Sequence, residues 1–293
     1  MQLQERGYAK INLTLDVLGK RTDGYHDLVS IMQTVDLYDT LTFSSLDRGI
    51  ELTSDCSLLP NDERNLAYKA ALLLLQRTGF AGGVRIELKK RIPLMAGLAG
   101  GSTDAAAVLR GLNRLWNLGL KYEELWEAAC ELGSDVPFCL NGGTCLAEGR
   151  GEILTPLKLK QPVWLLLLKP EIAVSTKNVY QALDLKKIQK RPKQEIMQQA
   201  LAKGDSSLIA LNLVNVLESV TLAAYPELKG YKEELRALGS NGVLMSGSGP
   251  TIFALAESRE QAEGWKKQIH SKMESIIVTR MIPGEEGKEW REN

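Results

Sequence analysis

The sequence predicts an α+β fold rather than a doubly wound parallel sheet. Residues 9–17 alternate polar and apolar side chains, which is typical of a strand with one solvated face. Further along, stretches with helical spacing and stretches with strand spacing follow one another without a regular βαβ repeat. The hydrophobic fraction of 44% and the charged fraction of 25% are ordinary for a globular protein with a sizeable core.

The elements of the N-terminal half follow from local signals. Asn65 and Gly79 are the expected start and stop signals of a buried helix. A Thr-Asp-Gly sequence indicates a turn within residues 19–24. In chain order we predict a strand at 9–17, a strand at 27–37 that pairs back on it, a helix at 65–77, a strand at 84–88, a glycine-rich loop at 93–102, an alanine-rich helix to about 116, a helix at 122–132 and a strand at 144–147.

A polar, proline-punctuated stretch at 150–162 indicates a domain boundary. We therefore predict one domain over residues 1–155 and a second over residues 156–293. For the second domain we predict a buried strand at 163–168, helices at 176–183, 194–202, 207–219 and 226–238, two strands at 243–245 and 252–255 around a glycine turn, and a frayed charged tail at 284–293.

Charge and hydropathy exclude several classes of protein. Lys plus Arg and Asp plus Glu both total 36, so the formal net charge is zero, whereas a general nucleic-acid binder has a basic excess. The longest apolar runs, six residues each, are far shorter than the roughly 20 residues that cross a bilayer. We therefore expect no nucleic-acid partner, no membrane partner and a cytoplasmic location.

The counts of cysteine and histidine limit the chemistry further. Four cysteines without a CxxC spacing are expected to be reduced and mostly buried. The only histidines, His26 and His270, exclude a three-histidine zinc site, and we expect His270 to lie on the surface. No set of residues has the spacing of protein ligands to a resident metal.

The most specific pattern is a glycine-rich loop between a strand and an alanine-rich helix. Its glycines let a ligand approach the backbone, and the first turn of the helix offers unpaired N–H groups and partial positive charge. An ordinary glycine turn with a Ser/Thr cap is the alternative, but the order of strand, loop and helix favours a cradle for a polyphosphate. The residues of this loop are Pro93, Leu94, Met95, Ala96, Gly97, Leu98, Ala99, Gly100, Gly101, Ser102 and Thr103.

Two residues outside the loop are candidates for chemistry at a phosphoryl group. No Walker lysine is present, so cationic help must come from Mg²⁺ and from a lysine elsewhere in the chain. Lys10 lies on the polar face of the first strand, although taken alone it reads more simply as a solvated lysine. Asp135 follows a helix and precedes Val-Pro-Phe, where it either accepts the proton of a substrate hydroxyl or forms an Asx turn.

The chain resembles the GHMP kinases, which include galactokinase, homoserine kinase, mevalonate kinase and phosphomevalonate kinase. The family loop PxxxGLGSSAA is similar to residues 93–106, which have one extra glycine. The likeness also covers residues 9–13, 21–26 and 133–138, and Gly-Ser-Gly-Pro at 247–250 resembles the family's third glycine motif. No block is decisive alone, but together they follow the family's order over essentially the whole chain.

The resemblance implies a two-lobed α+β fold with the active site in the cleft between the lobes. It implies that ATP, with Mg²⁺, is the phosphoryl donor and that the 93–103 loop binds its phosphates. It also implies that Asp135 is the catalytic aspartate and that Lys10 holds and polarises the substrate hydroxyl.

Within the family, the likeness is greatest to members whose substrate is a polyol attached to cytidine diphosphate. Tyr25 and His26 match residues that hold the cytosine, one by stacking and one by hydrogen bonding to the base edge. Tyr180 matches an aromatic residue on the other side of the base, and Asn12 is expected to bind the polyol or the diphosphate. We thus expect a small-molecule substrate, and a chain that is a monomer or a homodimer.

Other functions remain as alternatives. Another GHMP kinase, acting on homoserine or mevalonate, has no evident use for a base-binding pair such as Tyr25 and His26. A catalytically silent nucleotide sensor is expected to lack Lys10 or Asp135, and both are present. Ala99, where many family members have glycine, and the replacement of a serine by threonine at 103 depart from the family loop without removing a donor.

Overall fold

Strands form two sheets, and the predicted α+β class is confirmed. The computed structural model describes residues 2–284. Within this range the strands are β1 (Gln2–Lys20), β2 (His26–Leu46), β3 (Gly49–Ser54), β4 (Gly83–Lys89), β5 (Thr144–Gly149), β6 (Ile153–Pro156), β7 (Trp164–Lys169), β8 (Val214–Asn215), β9 (Val243–Met245), β10 (Ile252–Ala256) and β11 (Ser275–Arg280).

Helices pack on both sheets. Within the described range they are α1 (Leu66–Thr78), α2 (Gly100–Leu115), α3 (Tyr122–Leu132), α4 (Val136–Asn141), α5 (Thr176–Ala182), α6 (Gln194–Lys203), α7 (Ser206–Leu211), α8 (Glu218–Ala224), α9 (Glu227–Ala237) and α10 (Arg259–Gln268). A 3₁₀ helix covers Leu185–Lys187. None of these helices combines the length and hydrophobicity that a bilayer crossing requires.

The two sheets define two lobes. The first sheet has the order β3-β4-β2-β1-β8, with β5 paired to β2 and β6 paired to β5. The second has the order β11-β7-β10-β9. One buried cluster joins the lobes, because Ile11 and Leu13 of the first sheet belong to the same core as Leu165 and Phe253 of the second. The division into domains 1–155 and 156–293 stays a prediction, and β8 of the C-terminal half pairs with β1.

The long hairpin of β1 and β2 carries the first functional side chains. The strands pair antiparallel over nearly their whole length and extend beyond the predicted ranges. Ile11 and Leu13 are fully buried in the hydrophobic core, as the alternation of residues 9–17 predicts. Lys10 and Asn12, on the opposite face of β1, are therefore brought together on one side of the sheet.

Helix α2 is held tightly against β1 at its first turn. The Thr103 hydroxyl donates to the Tyr8 carbonyl oxygen at 2.7 Å. A Cβ on Gly7 would lie 3.0 Å from the Thr103 carbonyl oxygen, so the absence of a side chain at Gly7 permits this close approach. The N-terminus of α2 thereby has a fixed position relative to β1.

Several local predictions are confirmed and others are wrong. Asn65 caps α1 by accepting from Ala67 N at 2.9 Å, and Gly79 ends the helix in the left-handed conformation, as predicted. The predicted helix at 207–219 is wrong, because α7, β8 and α8 occupy this region. Helix α7 ends at Leu211, and Asn215 of β8 donates from its side-chain amide to the carbonyl oxygens of Met245 (2.8 Å) and Gly247 (2.7 Å).

Several elements of the structure are absent from the prediction, and the burial of the cysteines differs from it. The prediction omitted β3, β6, β11, α4, α10 and the 3₁₀ helix. The expectation that the cysteines are mostly buried is wrong, because Cys145 is buried whereas Cys56, Cys130 and Cys139 are half-buried. His270 is exposed, as predicted. The predicted frayed tail at 284–293 lies, beyond Gly284, outside the described residues.

Candidate active site

A cavity of about 830 Å³ lies between the two lobes. The first lobe contributes the polar face of β1, the glycine-rich loop, the start of α2 and the residue that precedes α4. The second lobe contributes α5 and the glycine turn that follows β9. Nearly all the residues singled out from the sequence therefore line one cavity, at the interlobe position that the family resemblance implies.

The charged centre of this cavity is formed by Lys10 and Asp135. Lys10 is 4% exposed, and its Nζ donates to Asn12 Oδ1 at 2.8 Å. The same Nζ lies 3.6 Å from Asp135 Oδ2, and the Asp135 side chain is 35% exposed. The solvated-lysine interpretation of Lys10 is therefore wrong, because its ammonium is buried and aimed at a carboxylate.

A buried hydrogen-bond chain fixes this centre in place. Asn12 Nδ2 donates to Ser30 Oγ at 2.8 Å, and Ser30 Oγ donates to the Thr14 carbonyl oxygen at 2.6 Å. Asn12 is 1% exposed, so its amide is fully committed to orienting Lys10 and to contacting β2. A rigid lysine beside a partly exposed carboxylate is an arrangement that can hold and deprotonate a hydroxyl group.

Asp135 stands directly before helix α4. The residue has helical backbone dihedrals at the N-cap position, and its carboxylate makes no capping hydrogen bond to the helix. Pro137 occupies the first turn of α4, where a missing N–H has no cost. The Asx-turn alternative is therefore not supported, and the carboxylate remains available to the cavity.

The glycine-rich loop presents the N-terminus of α2 to the same cavity. Gly100, Gly101 and Ser102 line it, and their N–H groups precede the first intrahelical bond, which joins Thr103 N to the Ala99 carbonyl oxygen at 2.9 Å. These donors and the helix dipole make an anion site. Ala99 has a φ of 59°, a left-handed conformation that disfavours its methyl group by roughly 1–2 kcal/mol.

The loop contacts the glycine turn of the second lobe. Ser246 Oγ donates to the Gly97 carbonyl oxygen at 3.0 Å. A Cβ on Gly97 would lie 2.4 Å from the Ser246 carbonyl oxygen, and Gly97 has a φ of 72°. The 247–250 motif, noticed in the sequence only as a resemblance, thus helps to shape the loop, and Gly247 and Ser248 line the cavity.

Two residues of the predicted loop do not line the cavity. Leu98 is 1% exposed and packs in the core between the lobes. Thr103 is also 1% exposed, and its hydroxyl donates to Tyr8 rather than facing the loop. The sequence suggested hydroxyls at both 102 and 103, whereas only Ser102 reaches the cavity wall, because successive helix residues point 100° apart.

Aromatic side chains also line the cavity. His26, at the start of β2, contacts Tyr180 of α5 with ring centroids 5.2 Å apart. Tyr25 is 52% exposed, and the Arg150 guanidinium lies 5.1 Å from the centre of its ring. Burial, with a smaller effect of Lys20, lowers the pKa of His26, and burial raises the pKa of Tyr180.

Sequence reasoning missed several residues of the cavity wall. Arg150 lies in the turn between β5 and β6, and Thr176 shares a hydrogen bond of 2.8 Å with Ser248. Lys177 also lines the cavity. A lone arginine between glycines, or a Thr-Lys pair at a helix start, has no spacing that distinguishes it from a surface residue.

Comparison with known proteins identifies the family. The protein-family model for the N-terminal domain of GHMP kinases matches residues 65–143. The family model for their C-terminal domain matches residues 197–275. The chain belongs to the GHMP kinases. It is accordingly a small-molecule kinase, and the resemblance inferred from its motifs is confirmed.

Similarity within the family points to one group of members. A protein of Brevibacillus brevis named 4-diphosphocytidyl-2-C-methyl-D-erythritol kinase is 47% identical over 98% of this chain and 99% of its own length. A protein of the same name from Exiguobacterium sibiricum is 50% identical over 94% of this chain and 96% of its own length.

The solved structures agree with the sequence relatives. The crystal structure of a 4-(cytidine 5'-diphospho)-2C-methyl-D-erythritol kinase aligns with a TM-score of 0.83 and 37% identity, covering 95% of this chain and 99% of its own. Mevalonate kinase of L. major, at 19% identity and a TM-score of 0.73 over 96% of both chains, shares the fold.

Proposed function

We propose that this enzyme transfers the γ-phosphoryl group of ATP to the 2-hydroxyl of 4-diphosphocytidyl-2-C-methyl-D-erythritol, a step of the non-mevalonate (MEP) route to isoprenoid precursors. The observation that carries the proposal is that the Lys10–Asp135 pair shares one cavity with the N-terminus of α2 and with the aromatic side chains of Tyr25, His26 and Tyr180. Curated relatives of the same name, about half identical over nearly the whole chain, support the same substrate.

The phosphate loop would hold the ATP triphosphate. The N–H groups of Gly100, Gly101 and Ser102 and the Ser102 hydroxyl supply donors at the start of a 16-residue helix. Because the loop has no lysine, it would stabilise the phosphate charge through backbone N–H groups, the helix dipole and the Ser102 hydroxyl. Phosphoryl transfer relies mainly on positioning and electrostatic stabilisation, so this rigid cradle supplies a large part of the catalysis.

Lys10 and Asp135 would act on the acceptor hydroxyl. Asp135 takes or orients the hydroxyl proton as the oxygen attacks, and Lys10 fixes that oxygen through its ammonium. Since Asn12 holds Lys10 from the side, the ammonium keeps its position when the substrate is absent. Asn12 is thereby a positioning residue, in addition to any contact it makes with the polyol.

The residues present fit the predicted Mg²⁺. Mg²⁺ is commonly bound by one or two carboxylates together with substrate phosphates, and it keeps several waters. Asp135 offers one such carboxylate at the cavity wall, and among residues 2–284 no cluster of three or more acidic, His or Cys residues forms a closed metal cage. When bound, Mg²⁺ would neutralise phosphate charge and would be held by the ATP phosphates together with one Asp135 oxygen, which leaves the other Asp135 oxygen for the acceptor hydroxyl.

Turnover with a panel of acceptors tests the proposal. ADP release from Mg-ATP would be measured with the cytidyl-diphospho-methylerythritol substrate, and with homoserine and mevalonate in parallel. We expect turnover with the cytidyl substrate only. Turnover with homoserine or mevalonate instead would refute the cytidine assignment, and ATP binding without turnover of any acceptor would favour a nucleotide sensor. The cytoplasmic location and the monomeric or dimeric state remain predictions.

Removing the ring of Tyr25 is expected to weaken substrate binding selectively. Stacking of a base on an aromatic ring contributes roughly 1–3 kcal/mol, so Tyr25→Ala should raise the KM for the cytidyl substrate about 10- to 100-fold. The KM for ATP should stay within about twofold, since Tyr25 belongs to the turn between β1 and β2 and not to the 93–103 loop. Tyr25→Phe keeps the ring and should behave as wild type; equal losses in both variants would contradict stacking.

His26 should make substrate binding dependent on pH. The neutral imidazole both donates and accepts a hydrogen bond, whereas the protonated ring only donates. Since burial lowers the pKa of His26 from the ordinary 6.5, the KM for the cytidyl substrate should be constant above pH 6.5 and rise only below it. His26→Gln should lose this rise, and His270→Gln, at the exposed second histidine, should retain it. An unchanged profile in His26→Gln would exclude the histidine.

A further inference from the structure

Three charged side chains lie buried beneath the phosphate loop, outside the cavity. They are Lys90, directly after β4, Asp39 of β2 and Asp104 of α2. The side chains are 7%, 0% and 3% exposed, respectively. Asp104 belongs to the 93–106 loop motif, but the mechanism proposed above gives none of the three residues a role.

Lys90 binds both carboxylates. Its Nζ forms an ion pair with Asp39 Oδ2, and it donates to Asp104 Oδ2 at 2.7 Å. Asp39 Oδ1 accepts in turn from the backbone N–H groups of Arg91 (2.5 Å) and Ile92 (2.9 Å). The cluster is thus attached to the chain immediately before Pro93, and immediately after Thr103, through Asp104.

The ammonium group also lies directly under the first residue of α2. A Cβ built on Gly100 would be 3.4 Å from Lys90 Nζ and 3.2 Å from Ile92 Cγ2. The backbone of Gly100 therefore rests on the Lys90 and Ile92 side chains. If Lys90 moves, the Gly100 backbone that rests on it moves as well. The N–H groups at the start of α2, which would contact the ATP phosphates, are then displaced.

A buried cluster of one lysine and two carboxyl groups has a high free-energy cost if its only role is to stabilise the fold. Among the described residues, no donor lies within hydrogen-bonding distance of Asp104 Oδ1, although Asp104 is 2% exposed. Burial raises the pKa of Asp104 well above its ordinary value, and the Asp39 charge acts in the same direction. A buried ion cluster is often no more stable than apolar residues of the same volume, so its retention under an anion site calls for a functional reason.

We propose that Lys90 is a positioning residue for ATP: bound between Asp39 and Asp104, it fixes both ends of the 93–103 loop and keeps two carboxyl groups from opposing the phosphates. The proposal rests on the assignment of this loop to the ATP phosphates. Its specific consequence is that the cluster controls nucleotide affinity and leaves the affinity for the acceptor substrate unchanged.

The first test uses Lys90→Met, which removes the charge and approximately keeps the volume. We expect the KM for ATP to rise about tenfold or more, the size of effect for a lost charge-assisted hydrogen bond. The KM for the cytidyl substrate should stay within about twofold. Lys89→Met, at the exposed neighbouring lysine, is the matched control and should leave both constants unchanged.

If Lys90→Met does not fold, the variant Asp104→Ala tests the same positioning role of the cluster. Asp104→Ala removes the contact between Lys90 and helix α2. Lys90 then pairs with Asp39 alone, so the cluster has no net charge and no second buried carboxyl group. If the cluster served the stability of the fold alone, Asp104→Ala would change the free energy of unfolding and leave ATP binding unchanged. We expect instead a folded protein, by circular dichroism, whose calorimetric affinity for Mg-ATP is about fivefold or more weaker.

The outcomes separate this inference from the proposed function. If wild-type protein does not bind Mg-ATP, the assignment of the loop itself fails. If wild type binds and folded Asp104→Ala binds equally well, the positioning role of the cluster is overturned. A parallel loss of both KM values and kcat in Lys90→Met, in proportion to the unfolded fraction, would also overturn it.

Discussion

Replacing Asp135 by Asn is expected to abolish most turnover while leaving the protein folded. The amide cannot accept a proton, and a positioned general base contributes roughly 10²- to 10⁴-fold to the rate, so we expect kcat to fall about 1,000-fold. The carboxylate caps no helix and is 35% exposed, so the loss of its ion pair with Lys10 should lower the free energy of unfolding by only about 1 kcal/mol and leave the protein folded. Turnover and thermal unfolding of the same preparation check both expectations.

The matched control for this experiment is Asp36→Asn. Asp36 has a similar exposure, 36%, and a similar ion pair, with Arg280 at 3.3 Å, but it lies outside the cavity. It should keep wild-type turnover. If Asp135→Asn keeps more than about a tenth of the wild-type kcat, Asp135 is neither base nor essential orienter, and the mechanism must place the proton elsewhere.

The local elements that the sequence predicts well are those whose signals are contained in a few neighbouring residues. Asn65 and Gly79 bound α1 because a cap needs only the N–H groups and dihedrals of its own helix. The helix predicted at 207–219 fails for the opposite reason. Asn215 binds two carbonyl oxygens about 30 residues further along the chain, and this tertiary contact outweighs the helical pattern.

In the candidate site too, features that depend on neighbouring residues are predicted, whereas features that depend on tertiary contacts are not. The alternation of β1 is sufficient to place Lys10 and Asn12 on one face, and the structure confirms it. The orientation of the Thr103 hydroxyl depends on how α2 is rotated against Tyr8, which the order of residues does not specify. Arg150 reaches the aromatic wall only because the β5–β6 turn lies beside Tyr25, so sequence alone gives no reason to select it.

Substituting Gly97 by Ala is expected to damage the phosphate loop more than any other single methyl group. The new Cβ would lie 2.4 Å from the Ser246 carbonyl oxygen and 3.0 Å from that of Gly249, and these backbone atoms cannot rotate away. The φ of 72° adds the strain of a left-handed alanine, about 1–2 kcal/mol. Overpacking of this kind costs about 1–3 kcal/mol more. We therefore expect a total destabilisation of about 3 kcal/mol.

Gly79→Ala separates the two causes of this loss. Gly79 has a similar φ of 64°, but a Cβ there would meet no atom within 4 Å, so its variant carries the backbone strain without the clash. We expect it to lose only about 1 kcal/mol in denaturant unfolding and to keep the KM for ATP. Gly97→Ala should in addition raise the KM for ATP at least about 100-fold, since the clash moves the loop away from the Ser246 contact. Equal unfolding energies and equal ATP constants for the two variants would show that the contact between the lobes does not shape the phosphate loop.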